Sequence, residues 1–132
     1  MAVTYFQPDG LVRSPAFSHV AVVPPGSATV YLGGQNGVDE TGAIVSPEVG
    51  AQAARALDNA RVALAAAGAG LDDVVQWFVL IDVGADLGAA YGAIAGQLAR
   101  EGAPPLVTAS LVAGLGVPGA LIEIGAIAAL PG

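Results

Sequence analysis

At 132 residues the chain has room for one domain, 1–132, around one core. Hydrophobic residues make up 55% of it and charged residues only 11%, so a surface this short of polar groups predicts a homo-oligomer that buries much of each subunit. Eleven acidic residues against four arginines and no lysine, a net charge of −7, exclude a partner held through phosphate groups, whether nucleic acid or an anionic membrane surface.

Along the chain, Val20 to Val23 and Ala28 to Leu32 are β-prone runs separated by Pro24-Pro25-Gly26-Ser27, which predicts a hairpin. Asp39-Glu40-Thr41-Gly42 predicts a turn into a short strand at Ala43 to Val45, with Asn36 and Asp39 serving the turn. The first helix has Ser46 as its expected cap, Pro47 and Glu48 in its first turn, and Val49, Ala53, Leu57, Ala60 and Leu64 at helical spacing before Gly68. On its outer side, Arg55 and Arg61 are expected in surface ion pairs, Arg61 with Asp58. Val74 to Ile81 is an apolar run short enough for a buried strand, with Trp77 in the core. Asp86 caps a second helix that carries Leu87, Tyr91, Ile94 and Leu98 on one face and ends near Gly102. Val107 to Val112 and Leu121 to Ala128 are the last two strands. The order predicts an α+β fold with one mixed β-sheet and two helices packed on one face.

Two stretches free of charge are long enough to span a bilayer, 14–38 and 102–122, but each holds three prolines, so neither sustains a continuous helix with its backbone satisfied in lipid. No basic region followed by an apolar run marks a leader, and a cytoplasmic location is expected. The absence of cysteine excludes disulfides and thiolate chemistry, and a lone histidine, His19, argues against a zinc site.

Three segments resemble the RidA/YjgF family. Val30-Tyr31-Leu32-Gly33-Gly34-Gln35 is similar to the family's strand ending in Ser-Gly-Gln. Ala56-Leu57-Asp58-Asn59, then Ala67-Gly68, then Leu71-Asp72-Asp73-Val74 is similar to its helix and exit, and Leu121 to Ala128 to its closing strand. The resemblance implies a chorismate-mutase-like fold, a homotrimer with three clefts between subunits, and hydrolysis of reactive imines and enamines to keto acids and ammonia without metal or organic cofactor. It also implies an arginine, in a Pro-x-Arg segment, that clamps the substrate carboxylate. Here that segment is Pro105-Leu106-Val107, followed by Thr108, and no basic residue lies between Glu101 and the C-terminus. Other family positions are replaced as well: a tyrosine by Phe17, the Ser-Gly-Gln serine by Gly33, and a helical asparagine by Tyr91.

Glu123 remains. A carboxylate interrupting an apolar strand can hold or deliver a proton, or simply accept backbone hydrogen bonds at a wet edge. His19 reads either as an acid or base beside the cleft or as a hydrogen-bonded structural histidine. The amides of Gly33, Gly34 and Gln35, where the strand is expected to end, can polarise a carbonyl or simply form a glycine bulge. Phe17, Tyr91, Val107 and Thr108 complete the expected substrate-binding set. Loss of a bidentate charged clamp costs about a hundredfold or more in efficiency, so small imino acids are expected to be poor substrates, and a neutral, larger or more apolar one fits better. The alternative is a non-catalytic trimer, regulatory in role, that binds a small ligand or a protein partner.

Overall fold

The computed structural model describes residues 2–132. Its elements are β1 (Thr4–Phe6), β2 (Val20–Val22), β3 (Ala28–Asn36), α1 (Val49–Ala66), a 3-10 turn (Leu71–Asp73), β4 (Val74–Asp82), α2 (Leu87–Leu98), β5 (Leu106–Val112) and β6 (Ile122–Leu130). The expected mixed sheet with two helices is present as four strands in the order β3-β6-β4-β5. Only β4 and β5 run parallel; β6 lies antiparallel to both β3 and β4.

Alternation along the strands divides the sheet into two faces. Trp77, Val79 and Ile81 of β4 and Ile122, Ile124 and Ala126 of β6 are buried in one cluster with Ala53, Leu57, Ala60 and Leu64 of α1 and Ile94 of α2. Each fully buried leucine or isoleucine there contributes about 1.5–3 kcal/mol. Seven of the seventeen buried residues in this cluster are alanine. Small side chains let the helices come close: a Cβ added at Gly50 of α1 would touch the Ala89 carbonyl of α2 at 3.5 Å. On the other face Tyr31 and Phe78 are exposed.

Four local expectations are corrected. The Pro24 to Ser27 turn does form, but β2 does not pair with β3; it pairs antiparallel with β1, with Tyr5 opposite Ala21, and β3 pairs instead with β6. Residues 43–45 make only an isolated bridge, Val38 to Ile44. The cap of α1 is Glu48, and Ser46 lies two residues before it, where its Oγ accepts from the Glu48 amide at 3.1 Å. Arg55 makes no ion pair among the described residues; its Nε donates to Val38 O and Asn59 Oδ1.

The remaining punctuation follows the sequence. Gly68 takes φ +77°, and the bonds Gly68 N to Ala65 O and Ala69 N to Leu64 O close α1 in a Schellman motif. Asp86 Oδ1 accepts from the Ala89 amide at the start of α2. Arg61 pairs with Asp58 at 2.9 Å. Asp39 accepts from the Thr41 hydroxyl, the Ala43 amide and the Thr41 amide, which hold its carboxyl below the usual 3.8. Asn36 turns inward instead, donating to the Ile122 carbonyl at 3.0 Å.

Gln52 joins the first helix to two loops. It is fully buried, its amide nitrogen donates to the Ser46 and Gly119 carbonyls, and its oxygen accepts from the Leu121 amide at 2.8 Å. No helix is long and apolar enough to cross a membrane among the described residues.

Candidate functional site

The residues singled out in the sequence fall into two groups, on opposite faces of the sheet. The first surrounds Glu123. Strand β6 pairs it with Leu80 across β4, on the face away from the helices. Beside it β3 bulges: Leu32 pairs with Ala126 and Gln35 with Ile124, so Gly33 and Gly34 together stand opposite Gly125. Strand β3 therefore does not end at Gln35, as expected; it continues to Asn36.

Of the two bulge glycines, Gly33 has open space beside it and Gly34 lies against Glu123. A Cβ on Gly34 would sit 2.5 Å from the Glu123 carboxyl carbon and Oε2, and one on Gly125 would sit 3.4 Å from the Leu32 carbonyl. The carboxylate thus lies against bare backbone, half-buried. Both readings of the glycines, bulge and exposed backbone, are compatible with this geometry. Gln35 turns back on its own strand, its amide donating to Gly33 O at 3.2 Å. Thr108 of β5 pairs with Phe78 and belongs to this face too, where its Oγ1 accepts from Gln76 at 3.0 Å.

The second group lines a groove of about 350 Å³ between α2 and β5, on the helix-covered face. Phe17, Trp77, Val79, Tyr91, Leu98 and Val107 form its walls. Val107 arrives there because its register partner is Trp77. Phe17 is held by a loop pinned at several points: Gln7 Nε2 donates to the Ser14 and Phe17 carbonyls, and Ser18 Oγ donates to Pro104 O at 2.7 Å. The Tyr91 hydroxyl has no hydrogen-bond partner among the described residues, and burial pushes its phenol above the ordinary value.

His19 stands at the groove's outer side. Its ring meets Phe17 edge-on at 5.4 Å, and Nε2 lies 2.6 Å from the Val12 carbonyl. That contact fits the structural reading, since it commits one ring nitrogen to the backbone.

Arg100 is a wall residue that the sequence reading missed. It immediately precedes the stretch searched for a basic residue, but its guanidinium is largely committed elsewhere. Nε donates to Ala103 O, Nη1 to Asp72 O and Val74 O, and the group lies over the Tyr5 ring at 5.4 Å. Trp77 was expected in the core, and it is 3% exposed, yet one side of it reaches the groove. Only the pairing of β4 with β5 reveals that second role. No group of three or more His, Cys, Asp or Glu residues suited to a metal occurs among the described residues.

A fold of this topology, with an acidic side chain over a glycine bulge and a groove at the edge strand, is that of the Rid-type proteins. The family model described as endoribonuclease L-PSP matches residues 11–130, and the chain belongs to this family. Among solved structures it is similar to YyfB of the conserved Rid protein family from Yersinia pestis, a protein of unknown function. The two are 31% identical with a TM-score of 0.80, over 98% of this chain and 100% of that one. RidA from the Antarctic bacterium Psychrobacter sp. is 27% identical, with a TM-score of 0.67 over 95% and 98% of the two chains. TdcF from E. coli, solved with bound serine, is 30% identical, with a TM-score of 0.68 over 80% and 83%. No curated protein matches the chain.

Proposed function

We propose that the chain is a trimeric, cofactor-independent enzyme of the Rid type, with one domain per subunit, that works in the cytoplasm on an imine, an enamine or a related unsaturated small molecule. The reaction is hydrolysis or tautomerisation in clefts between subunits. In hydrolysis, water adds to the imine carbon, the nitrogen takes up protons, the C–N bond breaks with release of ammonia, and a carbonyl remains. Glu123 positions the water and moves its proton, while the backbone beside Gly33 and Gly34 holds the developing oxygen. TdcF was solved with serine, which supports a small-molecule ligand here as well.

The observation that carries this reading is Glu123 itself. It accepts no hydrogen bond among the described residues, and the bulge glycines leave its carboxylate uncovered by side chains.

A second reading, a non-catalytic trimer that binds a small ligand, draws on the groove. Val107 stands where the family's clamp is expected, and the walls around it are apolar. The net charge of −7 tells against RNA as a substrate.

One assay separates these readings. Amino-acid oxidase supplies imines from a panel of amino acids, and semicarbazide competes for them. Turnover of bulky apolar imines that drops by about a hundredfold or more in Glu123→Gln is expected. Rapid turnover of small imino acids would show that another group holds the carboxylate; no turnover of any imine would leave the binding protein.

A further inference from the structure

We propose that the groove between α2 and β5 is a binding site for an uncharged aromatic small molecule, enclosed by Phe17, Trp77 and Tyr91 and hydrogen-bonded by the Tyr91 hydroxyl. This deepens the proposed function by naming the class of compound. Because the groove and Glu123 lie on opposite faces of one subunit's sheet, the claim that the bound molecule is the substrate rests on that reading and on a neighbouring subunit of the proposed trimer bringing its own carboxylate to the groove.

Size sets the first limit. At about 350 Å³ the groove is at the lower end of small-molecule sites, which span roughly 300–1,000 Å³. It suits one ring with a short substituent.

The walls set the second. Three aromatic side chains reach the groove from three separate segments, the 15–17 loop, β4 and α2, and Val79, Leu98 and Val107 fill the gaps between them. Aromatic rings prefer offset or edge-to-face contact with another ring, and walls at different angles offer both.

Charge sets the third. Val107 has no donor. Arg100 is the one cation on the wall, and three of its N–H bonds go to the Ala103, Asp72 and Val74 carbonyls. All three of those acceptors, and the Tyr5 ring beneath the guanidinium, lie outside the groove lining, so the charged head is drawn to that side. A carboxylate entering the groove would lose its hydration and find only the Nη2 group of Arg100, on a guanidinium already shared among three carbonyls. The uncommitted side-chain polar groups on the wall are the Tyr91 hydroxyl and the Nη2 group of Arg100. Burial keeps the Tyr91 hydroxyl protonated, and it therefore serves as a donor to a neutral acceptor.

Benzamide and benzoate, nearly equal in shape and differing in charge, test this. The chain has a single tryptophan, and it lines the groove, so its emission reports occupancy; equilibrium dialysis gives the same affinity independently. Benzamide is expected to bind saturably and at least about tenfold more tightly than benzoate. In Val107→Arg the order should reverse, because the new guanidinium pairs with the carboxylate. Tyr91→Phe, which keeps the packing, should weaken benzamide several-fold without changing benzoate. Benzoate binding as tightly as benzamide to the unaltered protein would show Arg100 acting as an anion clamp and overturn the inference. Failure of benzamide to bind by dialysis would overturn it too. Because binding is read without turnover, benzamide binding with no imine hydrolysis removes the proposed reaction alone, and hydrolysis without benzamide binding removes this inference alone.

Discussion

Gly34 and Gly37 present the same clearance and opposite consequences. An added Cβ would come within 2.5 Å of a neighbour at both positions. At Gly34 the neighbour is the end of the Glu123 side chain, which can swing away. At Gly37 it is the Cα and carbonyl of Gln52, inside α1, which cannot move without the helix. Gly37→Ala is therefore expected to destabilise the protein by about 3 kcal/mol, whereas Gly34→Ala should stay within roughly 0.5 kcal/mol of the parent while displacing the carboxylate. Denaturant titration checks both. A large stability loss in Gly34→Ala would mean that Glu123 is fixed more firmly than its missing partners imply.

At this scale the sequence was informative about identity and silent about grouping. Phe17, Tyr91 and Val107 do come together, and Gly33, Gly34 and Glu123 do too. Val107 and Thr108, adjacent in the chain and assigned to one site, face opposite sides of the sheet because successive strand residues alternate. Which side each faces depended on the partner strand. The roles of Trp77 and Arg100 were hidden for the same reason: a buried indole and a helix-end arginine look alike in sequence whether or not a groove passes beside them.

Among the elements, the long ones were legible and the short ones were not. Helical spacing, Gly68 and Asp86 announced α1 and α2, and the apolar runs announced β4, β5 and β6. Strand β1 has three residues, too few for alternation to show, and without it β2 could only be assigned to its neighbour in sequence. What holds β1 is tertiary. Arg100 lies over Tyr5, and the Tyr5 hydroxyl reaches the Val74 carbonyl at 3.5 Å. Arg100→Met keeps most of the apolar stem of the side chain and removes the donors. It is expected to cost about 1–2 kcal/mol, since the part-buried Val74 carbonyl and two exposed ones lose a charged partner, and to loosen β1 before the sheet. Hydrogen exchange at the β1–β2 pair should rise more than at β4–β6. Equal acceleration in both would place Arg100 in the global core instead.

For the molecule as a whole, the apolar composition and the exposed Tyr31, Phe78, Val107 and Leu111 favour association, and the proposed trimer gives these side chains somewhere to go. Sedimentation equilibrium is expected to give three times the 12.8 kDa of one chain. Glutamate in place of Phe78, on the uncovered face of the sheet, should shift the mass toward the monomer while the helices remain, because a buried unpaired carboxylate at an interface is costly. A monomeric parent would remove the cleft between subunits and leave the groove as the candidate site.

The alanine-rich interior has a thermal consequence. Alanine loses no rotamer freedom on burial, so ordering this core costs little side-chain entropy, and each alanine also hides little apolar surface. The heat capacity of unfolding scales with the apolar area exposed. A core in which seven of seventeen buried residues are alanine accordingly gives each subunit a shallow stability curve, one that changes slowly with temperature on both sides of its maximum.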